Sequence, residues 1–345
     1  MSISHFQYFL LFFGAFALVG VLTPLARRIA IRTNVLDHPT LTHKTHKEPV
    51  PYLGGVAIMV GILVISYGVS IYKGISGKNF GLESSVLIPA LILGIVGLWD
   101  DVRNLRPAPR FLIQSVAGIF TAWLLVATNT VGTPTGSRLV DAAITIIWIV
   151  GICNSINFFD NVDGGAAGTV AVSSIILFIL ASTGGQYLIA SLSIVTSGAM
   201  IGFLLWNKSP ARIYMGDAGA LFLGVLIAVL TIRLHPQAET EWTSLATPIL
   251  ILAVPILDTS VAVVSRLRRG VSPFQGGHDH LSHRLIRAGI SRRLAAISLW
   301  ALSATFGLCA IVITRVSLRP EEIIVFVAAV GWVALFFAFL ATADE

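Results

Sequence analysis

Five short stretches of the 345-residue sequence concentrate residues that can do chemistry: THKTHKEPVPYLGG (42–55), GLWDD (97–101), GICNSINFFDNVDGG (151–165), WNKSPARIYMGDAGALFLG (206–224) and RLRRGVSPFQGGHDHLSHRLIRAG (266–289). Adjacent acids such as Asp100 and Asp101 coexist only with a cation or a shared proton. They point to a metal or to acid–base work, against the plainer reading that they end a helix at the water. Asn154, Asn157, Asp160, Asn161 and Asp163 offer hard oxygen ligands of the kind Mg²⁺ takes together with phosphates and waters. A simple turn also favours Asn, Asp and Gly. It needs two or three of them, whereas this stretch has seven within twelve positions.

Asp217 stands at an expected helix start, where the helix dipole favours an anion and where Asp is also an ordinary N-cap. With Asn207 and Arg212 upstream, the stretch reads as a phosphate and metal site, Arg being suited to planar anion contact. In the last stretch His278, His280, His283 and Arg284 lie beside Arg266, Arg268 and Arg269, which suggests a cationic cradle for a pyrophosphate. Zinc is the rival, but the histidine spacing is irregular and no cysteine is near. Asp258 sits about two turns inside an apolar run and is a functional candidate by default. A hydrogen bond across the bundle near a Pro255 kink explains it equally, so it stays outside the catalytic set.

The elements that must position these residues are membrane helices. Hydrophobic residues make up 55% of the chain and charged residues 12%, with a mean hydropathy of +0.85. Such values mark an integral membrane protein. Eleven apolar runs of spanning length fall at 6–26, 53–72, 85–99, 110–128, 141–158, 166–183, 187–206, 218–234, 245–265, 294–314 and 322–341. They are continuous, unlike the alternating segments of a barrel. The fold class is therefore all-α, a polytopic membrane protein of about eleven transmembrane helices in one domain spanning 1–345.

Basic residues orient it. Of 23 Lys and Arg, 17 fall in the connections after helices 1, 3, 5, 7 and 9, and the side richer in them is cytoplasmic. The N-terminus is then outside and the C-terminus cytoplasmic, with the first run retained as a helix. The net charge of +6 is topogenic and does not argue for nucleic acid. All five polar stretches lie on the cytoplasmic side, while the outward connections lack paired acids and histidine clusters. Cys153 and Cys309 give no disulfide framework.

In their order, HKEPVPYLGG, GLWDD, NSINFFDNVDGG, NKSPARIYMGDAG and HDHLSHRL resemble the motifs of the polyprenyl-phosphate N-acetylhexosamine-1-phosphate transferases. The resemblance covers about residues 40 to 290 and is closest to the bacterial UDP-GlcNAc:undecaprenyl-phosphate GlcNAc-1-phosphate branch. It implies transfer of a sugar-1-phosphate from a UDP-N-acetylhexosamine to polyprenyl phosphate, with release of UMP and initiation of cell-envelope glycan synthesis. The phospho-MurNAc-pentapeptide branch is the alternative donor class, and a secondary transporter with intramembrane carboxylates is the alternative of another kind.

Carried over by residue, the resemblance implies catalytic Asp100, Asp101, Asp217, His280 and His283. It implies metal ligands Asp217 and Asn157, with Mg²⁺ as cofactor and Mn²⁺ as a substitute. Substrate contacts fall on Lys47, Asn154, Asp160, Asp163, Asn207 and Tyr214, Tyr214 offering its ring to uracil, and the residue types above add Arg212 and Arg284 as anion contacts. Ser282 stands where the family's motif often has His, and His278 lies upstream instead. The expected partners are the nucleotide sugar, the lipid phosphate and the inner membrane, with a homodimer as the candidate assembly. Direct in-line attack and a covalent aspartyl-phosphate route both remain open.

Overall fold

The computed structural model describes residues 3–37, 49–103, 107–127, 136–236, 241–273, 277–316 and 318–342. Helix follows the apolar runs because hydrocarbon offers no partner to a free backbone group. In chain order the helices are α1 (His5–Arg32), α2 (Gly54–Tyr72), α3 (Lys78–Arg103), α4 (Pro107–Ala127), α5 (Arg138–Phe159), α6 (Gly165–Thr183) and α7 (Tyr187–Asn207). They continue with α8 (Gly216–Ile232), α9 (Glu241–Ile251), α10 (Ala253–Arg268), α11 (Leu281–Arg287), α12 (Arg292–Ile313) and α13 (Leu318–Ala341). Among the described residues, eight helices are individually long and apolar enough to cross a membrane, and α9 with α10 forms a bent ninth. Shorter apolar helices, Leu112–Val126 and Gly216–Ile232, occupy two further expected runs.

α8 is apolar around its whole circumference, the pattern of a helix surrounded by protein. Every residue from Ala218 to Thr231 is buried, against α3, α5 and α2. α3 approaches so closely that a Cβ on Gly97 would collide with the Asp217 carbonyl. Outer helices show the reverse, with Phe326 and Phe337 of α13 and Trp123 of α4 exposed.

The run expected as one helix over 245–265 is broken, and α9 and α10 meet at 73°. Pro255 has no N–H to donate to the Ile251 carbonyl, so the ladder stops there. The freed carbonyl accepts the Ser173 hydroxyl of α6 at 2.9 Å, and the Ala253 carbonyl accepts the Trp332 indole at 3.0 Å. Neighbouring helices thus satisfy what the break exposes.

α1 runs beyond its expected end at 26 to Arg32, and Arg27 on this extension donates to the Arg212 carbonyl at 3.1 Å. Among the described residues the β structure is one antiparallel pair, β1 (Leu36–Asp37) with β2 (Val50–Pro51), in register Leu36 to Pro51. It leads straight into α2, where Gly54 and Gly55 donate to the carbonyls of Tyr214 and Met215 at 3.0 and 2.8 Å. The ends of α3, α5 and α7 and the start of α8 therefore gather at one face.

The Gly97 approach predicts that Gly97→Ala forces α3 from α8, costing about 1–3 kcal/mol by overpacking. Gly68→Ala in α2, where a Cβ meets nothing, should raise stability by about 0.5–1 kcal/mol through helix propensity. Thermal unfolding of the two purified variants checks the difference.

Candidate active site

The first N–H groups of a helix have no partner within it. At the start of α8 they are taken by Asp101, in the last turn of α3, whose two carboxylate oxygens accept Asp217 N–H at 2.8 Å and Ala218 N–H at 3.0 Å. α8 has no side-chain cap of its own, its N-cap residue being Met215. Asp217 is therefore not the cap; its carboxylate instead accepts the Asn157 amide of α5 at 2.6 Å. Asp100, beside Asp101, is buried.

α5 ends at Asp160, whose carboxyl burial and the charges of Asp217 and Asp163 push from the ordinary 3.8 to about 7. Asp163 accepts the Ala211 N–H at 3.1 Å, tying this turn to the loop before α8. Gly164 closes the turn at φ +74 as the N-cap of α6; its N–H goes to Asn207 at 3.1 Å and its carbonyl accepts the Trp300 indole at 3.1 Å. Gly164 thus serves the turn and the packing of α12.

Two tyrosines stand over the acids. The Tyr52 and Tyr214 rings lie 6.2 Å apart, and the Tyr52 hydroxyl bonds Asp37 of β1. Burial and nearby carboxylates, Asp37 first for Tyr52 and Asp163 first for Tyr214, raise both phenols, so both are neutral donors.

A divalent cation fits this donor set. Like charges of Asp160, Asp163, Asp101 and Asp217 act on one another, while the described ion pairs fall on Asp279 and Asp258, elsewhere. Among the described residues no three His, Cys, Asp or Glu side chains close around one point. Mg²⁺ does not require that, since one or two carboxylates suffice when a substrate brings phosphates.

The histidine stretch folds as a self-satisfied knot beside the acids. Asp279 pairs with Arg266 at 2.8 Å and with Arg269, and Asp258 accepts both Leu281 N–H and His280 Nδ1 at 2.7 Å. Arg266 Nη2 lies 3.3 Å from His280 Nε2. A guanidinium only donates, so Nε2 accepts and the proton of the neutral ring sits on Nδ1, toward Asp258. Ser282 donates to Asn161, joining α11 to the α5–α6 turn. His283, beside His278, has its pKa lowered to about 3 by burial and by His280, His278, Arg287 and Arg292. It is a neutral imidazole.

The structure thus brings together Asp100, Asp101, Asn157, Asp160, Asp163, Asp217 and Tyr214. Asn154 turns back on the Val150 carbonyl of its own helix at 2.8 Å. Asn207 is 1% exposed and spans Gly164 and the Ile213 carbonyl, which makes it a staple. Arg212 is exposed, its guanidinium 5.9 Å from the Trp206 ring. Arg284 is buried and donates to the carbonyls of Asp279, Phe339 and Thr342 and to the Ser265 hydroxyl. Arg266 and Arg269, two of the arginines expected in a phosphate cradle, are paired with Asp279, and Arg284 ties the loop to the end of α13. Lys47 lies outside the described residues.

Sequence reasoning missed Tyr52, Asp37 and Arg292, the last acting on Tyr214 and His283. No spacing signal marks them. Asp258 was visible; its hydrogen bonds go to His280 and Leu281 in the stretch that follows its own helix, not across the bundle.

A model of glycosyl transferase family 4 matches residues 84–235. The chain is 31% identical over 314 residues, 90% of its length and 86% of the relative's, to a probable undecaprenyl-phosphate N-acetylglucosaminyl 1-phosphate transferase of Bacillus subtilis. It is 31% identical to a decaprenyl-phosphate N-acetylglucosaminephosphotransferase of Mycolicibacterium smegmatis, covering 83% of this chain and 77% of that one. A phospho-N-acetylmuramoyl-pentapeptide-transferase of Streptococcus uberis is 28% identical, over 77% and 84%.

Two outcomes follow from the geometry. The native Asp160 carboxyl keeps its proton to about pH 7, while the unfolded one loses it near 4. The native state then binds more protons between those values, and stability falls as pH rises through that window. Asp160→Asn should remove that part of the slope in thermal unfolding without divalent cations. Asp258→Ala strands the Leu281 N–H and His280 and should cost about 1–3 kcal/mol, measured the same way.

Proposed function

We propose, from the premise that this chain belongs to glycosyl transferase family 4, that it transfers N-acetylhexosamine-1-phosphate from a UDP-sugar to a polyprenyl phosphate and releases UMP. GlcNAc-1-phosphate is the favoured group, because relatives named for it align over most of the chain. A MurNAc-pentapeptide donor is the second reading, supported by the S. uberis relative. The observation that carries the function is the meeting of α3, α5 and α8 at Asp217, where Asp101 and Asn157 both bond the first turn of α8.

Phosphoryl transfer is mostly positioning and charge stabilisation. Asp217 would hold Mg²⁺ or Mn²⁺, with Asn157 beside it once its amide is turned to present oxygen. Such an ion supplies charge neutralisation to a diphosphate. Asp101, both of whose oxygens hold α8, fixes the start of that helix and so the place of Asp217. Asp100 is then the better candidate to orient or deprotonate the lipid phosphate. Attack of a lipid phosphate oxygen on the sugar-bearing phosphorus breaks its bond to UMP. Tyr214 and Tyr52 offer rings and neutral O–H donors above the acids, and His283 a neutral imidazole.

In this reading the acidic face looks to the cytoplasm from the plasma membrane and the whole chain acts as one membrane-embedded unit; the fall of 17 of 23 basic residues on that side supports the orientation. A transporter would use a broken helix such as α9–α10 for ion binding, but Ser173 occupies the Ile251 carbonyl that the break frees.

Purified protein supplied with polyprenyl phosphate and a panel of UDP-sugars should release UMP most rapidly from UDP-GlcNAc, and chelation should abolish release. Asp217→Asn should lower the rate by about 10²–10³-fold, the scale of a lost electrostatic contact in a transition state. Full activity of that variant would remove Asp217 from the site. A burst of UMP without lipid acceptor would select the covalent route.

A further inference from the structure

At the end of the bundle opposite the acids lies a second cavity of about 550 Å³, between the start of α1, the end of α2 and the starts of α3 and α7. Along α3, Glu83 here and Asp101 there are separated by roughly 27 Å at 1.5 Å per residue, close to the thickness of a hydrocarbon core. The cavity has the size of a ligand site. Its wall is apolar, with Leu11, Ile65, Leu192 and Val195, and Leu10 and Tyr72 at its edge are 53% and 91% exposed. It is therefore open to the lipid side.

Gln7, Asn79, Tyr187 and Ser191 add polar groups to its wall, but its ionisable carboxyl and amine are Glu83 and Lys73. Glu83 is 5% exposed and accepts the Ser70 hydroxyl at 2.5 Å. Ser66 is 6% exposed, and its hydroxyl has no partner. Lys73 lines the same space, and among the described residues neither it nor Glu83 forms an ion pair. A buried carboxylate without a cation is costly in such a setting. A ligand carrying both signs of charge on an apolar body would satisfy the whole set.

We propose that this cavity binds a zwitterionic aminophospholipid, its ammonium on Glu83 and Ser66, its phosphate at Lys73 and its acyl chains along the apolar wall. The polyprenyl phosphate substrate is a poor match, since its head is purely anionic and would face Glu83. The site is thus separate from the one that carries transfer and independent of the donor assigned above.

Native mass spectrometry of the full-length protein in detergent, with phosphatidylethanolamine or phosphatidylglycerol added, tests this. The wild type should retain one phosphatidylethanolamine at least tenfold more strongly than phosphatidylglycerol, and soluble phosphoethanolamine should not displace it. Glu83→Gln should erase the preference. Ser191→Trp, which fills the cavity without touching Glu83, should stop retention of either lipid, and the thermal stabilisation given by phosphatidylethanolamine should vanish in parallel. Equal retention of both lipids by the wild type, or an undiminished preference in Glu83→Gln, overturns the proposal. Displacement by phosphoethanolamine overturns it in favour of a soluble amine site.

Discussion

Both oxygens of Asp101 are held by the first free N–H groups of α8, and much of the site follows from that contact. α8 is buried along nearly its whole length, so its open N-terminus cannot turn to water. A carboxylate from the neighbouring helix closes it and meets the positive end of the helix dipole. The close approach of Gly97 to the Asp217 backbone brings α3 near enough for this to happen. Once α8 is fixed, Asp217 points at Asn157, and the α5 turn with Asp160 and Asp163 completes an acidic pocket at one membrane boundary.

A second constraint is neutralisation. The acids at the α8 start crowd like charges together, whereas Asp279 and Asp258 beside the histidine loop are ion-paired. Asp279 holds Arg266 and Arg269, and Asp258 holds His280 and Leu281. One face of the protein thus carries a charge-deficient pocket beside a charge-complete scaffold. The second gives the loop a fixed shape and, through Arg284, fastens the end of α13.

The membrane helices and the acidic residues were legible in the sequence because their signals are local. An apolar run must be helical in hydrocarbon, and a carboxylate placed against such a run is conspicuous. Less legible were roles shared between distant segments. Asn207 and Arg284 have the side chains of phosphate or nucleotide ligands, yet each is spent on backbone groups. Tyr52 and Asp37 reach the acids through the connection between α1 and α2, held by a two-residue β pair. The 73° break between α9 and α10 was marked only by Pro255.

The sequence by itself determined a polytopic helical membrane protein, a set of acidic motifs gathered on one side, and the chemistry those residue types permit. Hydropathy and the positive-inside bias act through each segment alone, so no fold was needed to read them. Tertiary structure alone decided which carboxylates gather at the start of α8 and which pair with the arginines and histidine of the last loop. That division depends on hydrogen bonds and ion pairs between helices far apart in the chain, such as Asp101 with α8 and Asp258 with His280, and residue type cannot report who the partner is.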